Sequence, residues 1–101
     1  MTNAVWFISY KLKKGVSVPD FLAAQEQCNN EVLSKKKGFI SWQVLHKGDT
    51  WVDFVTWETM EDAVAAEKGG ETDPVAAKFY SFLDFKSMKM QAYSVERNYT
   101  K

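Results

Sequence analysis

The sequence predicts an α+β sandwich: a four-stranded antiparallel sheet with helices on one face. Three observations predict it. Short runs rich in β-branched and aromatic residues alternate with longer amphipathic runs, in the order strand, helix, strand, strand, helix pair, strand. The amphipathic runs open on capping residues. The middle two strands are separated by a glycine-containing turn short enough for a hairpin. The 101 residues suit one domain, 1–101, with a sizeable core.

Ala4 to Leu12 (AVWFISYKL) is the first strand. Both its faces are largely apolar, which predicts burial on both sides. Ser17-Val-Pro-Asp20 has the spacing of a helix start, with Ser17 as cap and Pro19 in the first turn. The helix is expected to run to about Lys36. Phe21, Leu22, Gln25, Cys28, Val32 and Leu33 share its buried face, and Gly38 ends it.

Phe39 to His46 and Trp51 to Trp57 form the hairpin. With Gly48-Asp49 as a two-residue turn, one face carries Ile40, Trp42, Val44, His46, Trp51, Asp53, Val55 and Trp57. The other carries Phe39, Ser41, Gln43, Leu45, Val52, Phe54 and Thr56. His46 then lies opposite Trp51 and diagonal to Asp53.

Thr59-Met-Glu-Asp62 repeats the capping spacing and starts a second helix ending near Gly69-Gly70. Thr72 or Asp73 caps a third, with Pro74 first and Val75, Phe79, Phe82 and Leu83 as its buried stripe. Met88 to Val95 is the last strand, and Glu96 to Lys101 a polar tail. This order is the split βαβ pattern of the ferredoxin-like fold. Right-handed crossovers place the first and third strands in the centre. Helices on one face leave the other carrying Val5, Phe7, Phe39, Leu45, Val52 and Phe54. A patch of that size predicts a homodimer with two sheets face to face.

A formal net charge of zero gives no reason to expect nucleic acid or an anionic membrane as partner. Lys35-Lys36-Lys37 sits at a helix end, where cations suit the dipole. A single cysteine, Cys28, forms no internal disulfide and fits a reducing, cytoplasmic setting. Met1 to Leu12 lacks a basic start, so no secretory leader is expected, and no apolar run approaches a membrane span. The chain carries no metal-ligand cluster, nucleophile triad or phosphate loop by motif, and no cofactor is expected. Its aromatic content of 15% must serve either core or pocket.

Three segments resemble the dimeric α/β-barrel superfamily, and within it the antibiotic-biosynthesis-monooxygenase (ABM)-like domains. They are Lys37-Gly-Phe-Ile40, Asp53-Phe-Val-Thr-Trp57 and Glu58-Thr-Met-Glu-Asp-Ala63. The resemblance implies a cavity between sheet and helices. It also implies chemistry ranging from cofactor-free oxygenation of aromatic compounds to haem degradation, and fold alone does not choose among these. Haem-degrading relatives carry a histidine on the third helix and a tryptophan on the second. Phe79 and Ala66 stand at those places here, which argues against haem.

A cofactor-free oxygenase needs a dry aromatic pocket, a proton acceptor and donors for the resulting anion. Trp42, Trp51 and Trp57 are candidate walls, Asp53 or His46 the candidate acceptor, and Tyr10 and Tyr80 candidate donors. Each also has a plainer reading. Tryptophans in strands are usually core, a histidine beside a hairpin turn is usually a rim residue, and a buried Asp53 can simply be paired. Cys28, Met88 and Met90 read as packing. Three readings follow: an oxygenase acting on an aromatic or quinone-like compound, a non-catalytic small-molecule pocket, and a structural dimer module with a filled core.

Overall fold

The computed structural model describes residues 2–69 and 72–101. β1 (Ala4–Leu12) leads into α1 (Val18–Glu31) and one 3-10 turn (Leu33–Lys35). β2 (Phe39–Lys47) and β3 (Thr50–Trp57) form the hairpin, followed by α2 (Met60–Gly69), α3 (Pro74–Tyr80) and β4 (Leu83–Ser94). The sheet order is β2-β3-β1-β4 with every neighbouring pair antiparallel, so the first and third strands are central. This is the ferredoxin-like α+β arrangement.

The helix starts follow from their caps. The Asp20 N–H donates to Ser17 Oγ at 3.3 Å, the Asp62 N–H to Thr59 Oγ1 at 3.0 Å, and the Val75 N–H to Asp73 Oδ1 at 2.8 Å. Each cap satisfies a donor the helix cannot, a gain of about 1 kcal/mol. The hairpin turns at Gly48, whose φ of +61° favours glycine. Its register is the expected one from Lys47 opposite Thr50 to Ser41 opposite Thr56.

Several boundaries differ from expectation. α1 stops at Glu31, because Val32 turns out of helical geometry (φ −121°, ψ −67°) and the 3-10 turn carries Leu33 into the core. Leu22, expected on the buried face, is 38% exposed, and Ala24 is buried instead. A bulge at Ile40 pairs Phe39 directly with Trp57. Phe39 therefore packs on the helix side, edge-on to Trp57, and Ile40 is thrown outward at 47% exposure. α3 ends at Tyr80, so Phe82 and Leu83 are not part of its stripe. Leu83 is instead buried in β4, which begins five residues before the expected Met88. Gly70, expected to end α2, lies outside the described residues.

Two buried clusters fill the space between sheet and helices. One gathers Tyr10, Phe21, Cys28, Trp51, Phe79 and Leu83 from the sheet, α1 and α3. The other gathers Ala4, Trp6, Leu33, Val55, Trp57, Ala63 and Ala66 from the sheet, the 3-10 turn and α2. Ile8 and Trp42 pack against both. On the opposite sheet face Val5 is buried, but Phe7, Leu45 and Tyr93 are exposed, with Val52 and Phe54 half-buried between them. β1 is thus covered on its helix side and largely open on the other.

Candidate functional site

Between the two clusters the sheet and helices do not fully meet. A cavity remains, with about 70 Å³ open to the centre of a water-sized sphere. That is several times the roughly 10–15 Å³ needed for one water. Its walls are mainly aromatic, aliphatic and sulfur-bearing, among them Trp6, Trp42, Cys28, Phe79, Met88 and Met90. One ionisable carboxyl enters this apolar wall, that of Asp53 on the central strand β3.

Strand register explains how Asp53 is held. Ile8 pairs with Asp53 and Tyr10 with Trp51, so Tyr10 is the diagonal neighbour of Asp53 on the same face. The Tyr10 hydroxyl donates to Asp53 Oδ1 at 2.8 Å. Asp53 is 4% exposed, and burial pushes its carboxyl from the ordinary 3.8 up to about 7. The hydrogen bond from Tyr10 and the Trp42 indole N–H pull it back down, but less strongly. The Trp42 contact falls short of hydrogen-bond geometry, since Nε1 is buried without a partner among the described residues. It acts as an electrostatic contact and not as a hydrogen bond. Tyr10 is raised above the ordinary phenol range by burial first and by Asp53 second, so it stays protonated and remains a donor.

A second, wider chamber of about 220 Å³ adjoins the first and shares with it seven lining residues, among them Trp6, Cys28, Tyr80, Met88 and Met90. It adds Lys36, Glu67 and Phe85 to the lining. The Trp6 indole donates to Ala63 O at 3.2 Å, which ties one wall to α2. Burial pushes the Cys28 thiol up to about 11, so it lines the cavity as a neutral group.

The sequence-predicted residues divide. Asp53, Trp42 and Tyr80 line the cavity, and Tyr10 stands behind Asp53. Trp57 is fully buried against Trp6 and Phe39. Trp51 is buried between Phe21 and His46. His46 stacks on Trp51 with ring centroids 4.5 Å apart, at the exposed hairpin end, and does not line the Asp53 cavity. Sequence reasoning assigned Cys28, Met88 and Met90 to packing and gave Trp6 and Phe79 no part in a cavity. The available signal was alternation, since Trp6, Ile8, Met88 and Met90 project to the face that carries Asp53.

Among the described residues, no group of three His, Cys, Asp or Glu side chains is placed to hold a metal ion. No helix among them is long and apolar enough to cross a membrane.

No family model matches the chain, and no curated protein matches it in sequence. Solved structures do match in fold. The N63A mutant of SnoaB, a cofactor-independent oxygenase from Streptomyces nogalater, is similar with a TM-score of 0.77 over 98% of each chain at 9% identity. A candidate antibiotic biosynthesis monooxygenase from Nitrosomonas europaea is similar with a TM-score of 0.68 at 15% identity, over 93% of this chain and 90% of that one. A conserved protein from Methanosarcina mazei Go1 reaches 0.71 at 16% identity over 92% of each. The chain therefore has the fold of the ABM-type structures.

Proposed function

We propose that this protein is a cofactor-independent oxygenase acting on an acidic aromatic compound, such as an anthrone or an electron-rich phenol, with Asp53 as the proton acceptor. The observation that supports it is a carboxyl 4% exposed in an apolar cavity, oriented by Tyr10 and titrating at about 7. A base is most effective when its pKa lies near the working pH. The fold shared with a cofactor-independent oxygenase points the same way.

In this reading the ionised Asp53 removes a proton from the substrate's acidic methylene or hydroxyl. The resulting carbanion or phenolate passes one electron to oxygen, the radical pair joins through a new C–O bond, and the peroxide anion so formed takes the proton back from Asp53 to give a hydroperoxide. Loss of water completes the reaction, so a methylene and O₂ become a carbonyl and H₂O. Tyr10 keeps Asp53 Oδ1 fixed throughout, and the apolar walls keep water from quenching the anion.

Oxygen uptake with anthrone as substrate tests this. Asp53→Asn is expected to lower the rate by about 10²-fold or more, the usual worth of a general base. His46→Ala leaves it unchanged, because His46 is outside the cavity. Turnover at the wild-type rate in Asp53→Asn refutes the assignment. The small inner chamber favours a second reading, a structural dimer module with a nearly filled core. It predicts no uptake and no retained ligand on native mass spectrometry. In both readings the open apolar sheet face is the proposed homodimer surface, and sedimentation at micromolar concentration tests it.

A further inference from the structure

We propose that Phe85 is a specificity-determining residue: with Tyr80 it forms an aromatic rim that selects flat, fused-ring substrates long enough to reach from Asp53 to the mouth of the cleft. The inference rests on the binding cavity of the proposed function and adds the shape of what enters it.

The argument begins with strand parity. Side chains of a regular strand alternate between faces, so residues five apart point to opposite sides. Leu83 pairs with Leu12 and is buried in the cluster beneath α1 and α3, while Met88 lines the cavity on that same sheet face. The strand must therefore change parity between them. It does so where a two-residue step in β1, Ser9 to Lys11, is matched by a five-residue step in β4, Asp84 to Lys89.

This irregularity is internally bonded. The Lys11 N–H, which would have joined the ladder, donates to Ser87 Oγ at 2.8 Å. The Ser87 hydroxyl donates to Asp84 O at 2.6 Å, and the Lys86 N–H donates to the Asp84 carboxylate at 3.1 Å. Bulges of this kind commonly re-aim a side chain beside a site. The side chain re-aimed here is Phe85. Counted back from Met88 and Met90, regular alternation would send it to the open sheet face. It lines the outer chamber instead, 57% exposed, with its ring centroid 6.2 Å from that of Tyr80.

Tyr80 lines both chambers, so its ring continues the wall from the cavity to Phe85. Lys36 and Glu67 also line the outer chamber, so a polar substituent there meets charged side chains. A one-ring compound seated on Asp53 occupies the inner chamber alone. A compound of three fused rings extends past Tyr80 and covers Phe85.

Tryptophan-fluorescence titration with two probes tests this, phenol as the single ring and 1,8-dihydroxyanthraquinone as the fused-ring phenol. Phe85→Ala is expected to weaken the anthraquinone by about tenfold, the value of one aromatic contact, and to leave phenol unchanged. Phe85→Tyr restores it. The melting temperature stays at the wild-type value, because the ring is exposed. Unchanged anthraquinone affinity in Phe85→Ala overturns the inference while the cavity reading stands. Equal weakening of both probes, or loss of dimer in place of affinity, overturns it too. If neither probe binds the wild-type protein, the cavity reading falls and the inference falls with it.

Discussion

Asp53→Asn should remove part of the protein's pH dependence of stability. The Asp53 carboxyl is pushed by burial from 3.8 to about 7 in the folded chain, whereas in the unfolded chain it is in water. Because the folded value is raised, the stabilisation from this group is complete below about pH 4 and is lost as pH rises through 7. A difference of about 3 in pKa, at about 1.4 kcal/mol for each unit, amounts to about 4 kcal/mol. That is a large share of the roughly 5–15 kcal/mol typical of a folded domain. Asparagine keeps the shape, accepts the Tyr10 hydrogen bond and never ionises. Urea unfolding from pH 4 to 8 should therefore show the wild type losing about 4 kcal/mol relative to the variant, most of it between pH 5 and 7. Other titrating groups are common to both proteins and cancel in the difference. A constant difference across that range would refute the burial argument. The oxygenase reading carries a linked expectation: turnover rises with pH over the interval in which stability falls.

Gly38→Ala should be among the most damaging small changes. Gly38 has φ +84°, and an added Cβ would run into the Asp62 carboxylate. A loss of about 2 kcal/mol or more is expected, read by thermal melting, and Gly38→Ala combined with Asp62→Ala should recover only part of it, because the Cβ at position 62, 2.6 Å away, and the positive φ both remain. Trp42→Phe removes a buried donor that has no hydrogen-bond partner among the described residues and that lowers the Asp53 pKa. The midpoint of the rate–pH profile should move to higher pH, and an unmoved midpoint would show that the indole does not act on the carboxylate. Phe7→Arg places a charge on the exposed sheet face. Sedimentation should show a monomer with unchanged circular dichroism, and a wild type already monomeric at micromolar concentration removes the proposed dimer.

The parts of this fold that were legible in the sequence are those fixed locally. Ser17, Thr59 and Asp73 cap helices by contacts two or three residues away. Gly48-Asp49 sets the hairpin register for the same reason, because a two-residue turn leaves little choice of pairing. What was not legible depends on distant partners. The outward turn of Ile40 lets Phe39 fill the space beside Trp57, and nothing between Lys37 and Trp42 signals it. The early start of β4 depends on Leu12 offering Leu83 a partner, where the local pattern continued the helix. At the site, Asp53 stood out as a carboxylate in an apolar strand. Its bond to Tyr10 follows from the β1–β3 register, which the hairpin alone does not supply.

The division of the core into two clusters has a consequence for hydrogen exchange. α1 and α3 belong to one cluster and α2 to the other, with Ile8 and Trp42 packed against both. Amides of α2 can thus open without unfolding the α1–α3 pair, and the two groups should exchange with different free energies. A compound lodged between them touches both at once. It would slow exchange in α2 and in α1 together, including at amides it never contacts, and so weld two separately breathing halves into one cooperative unit.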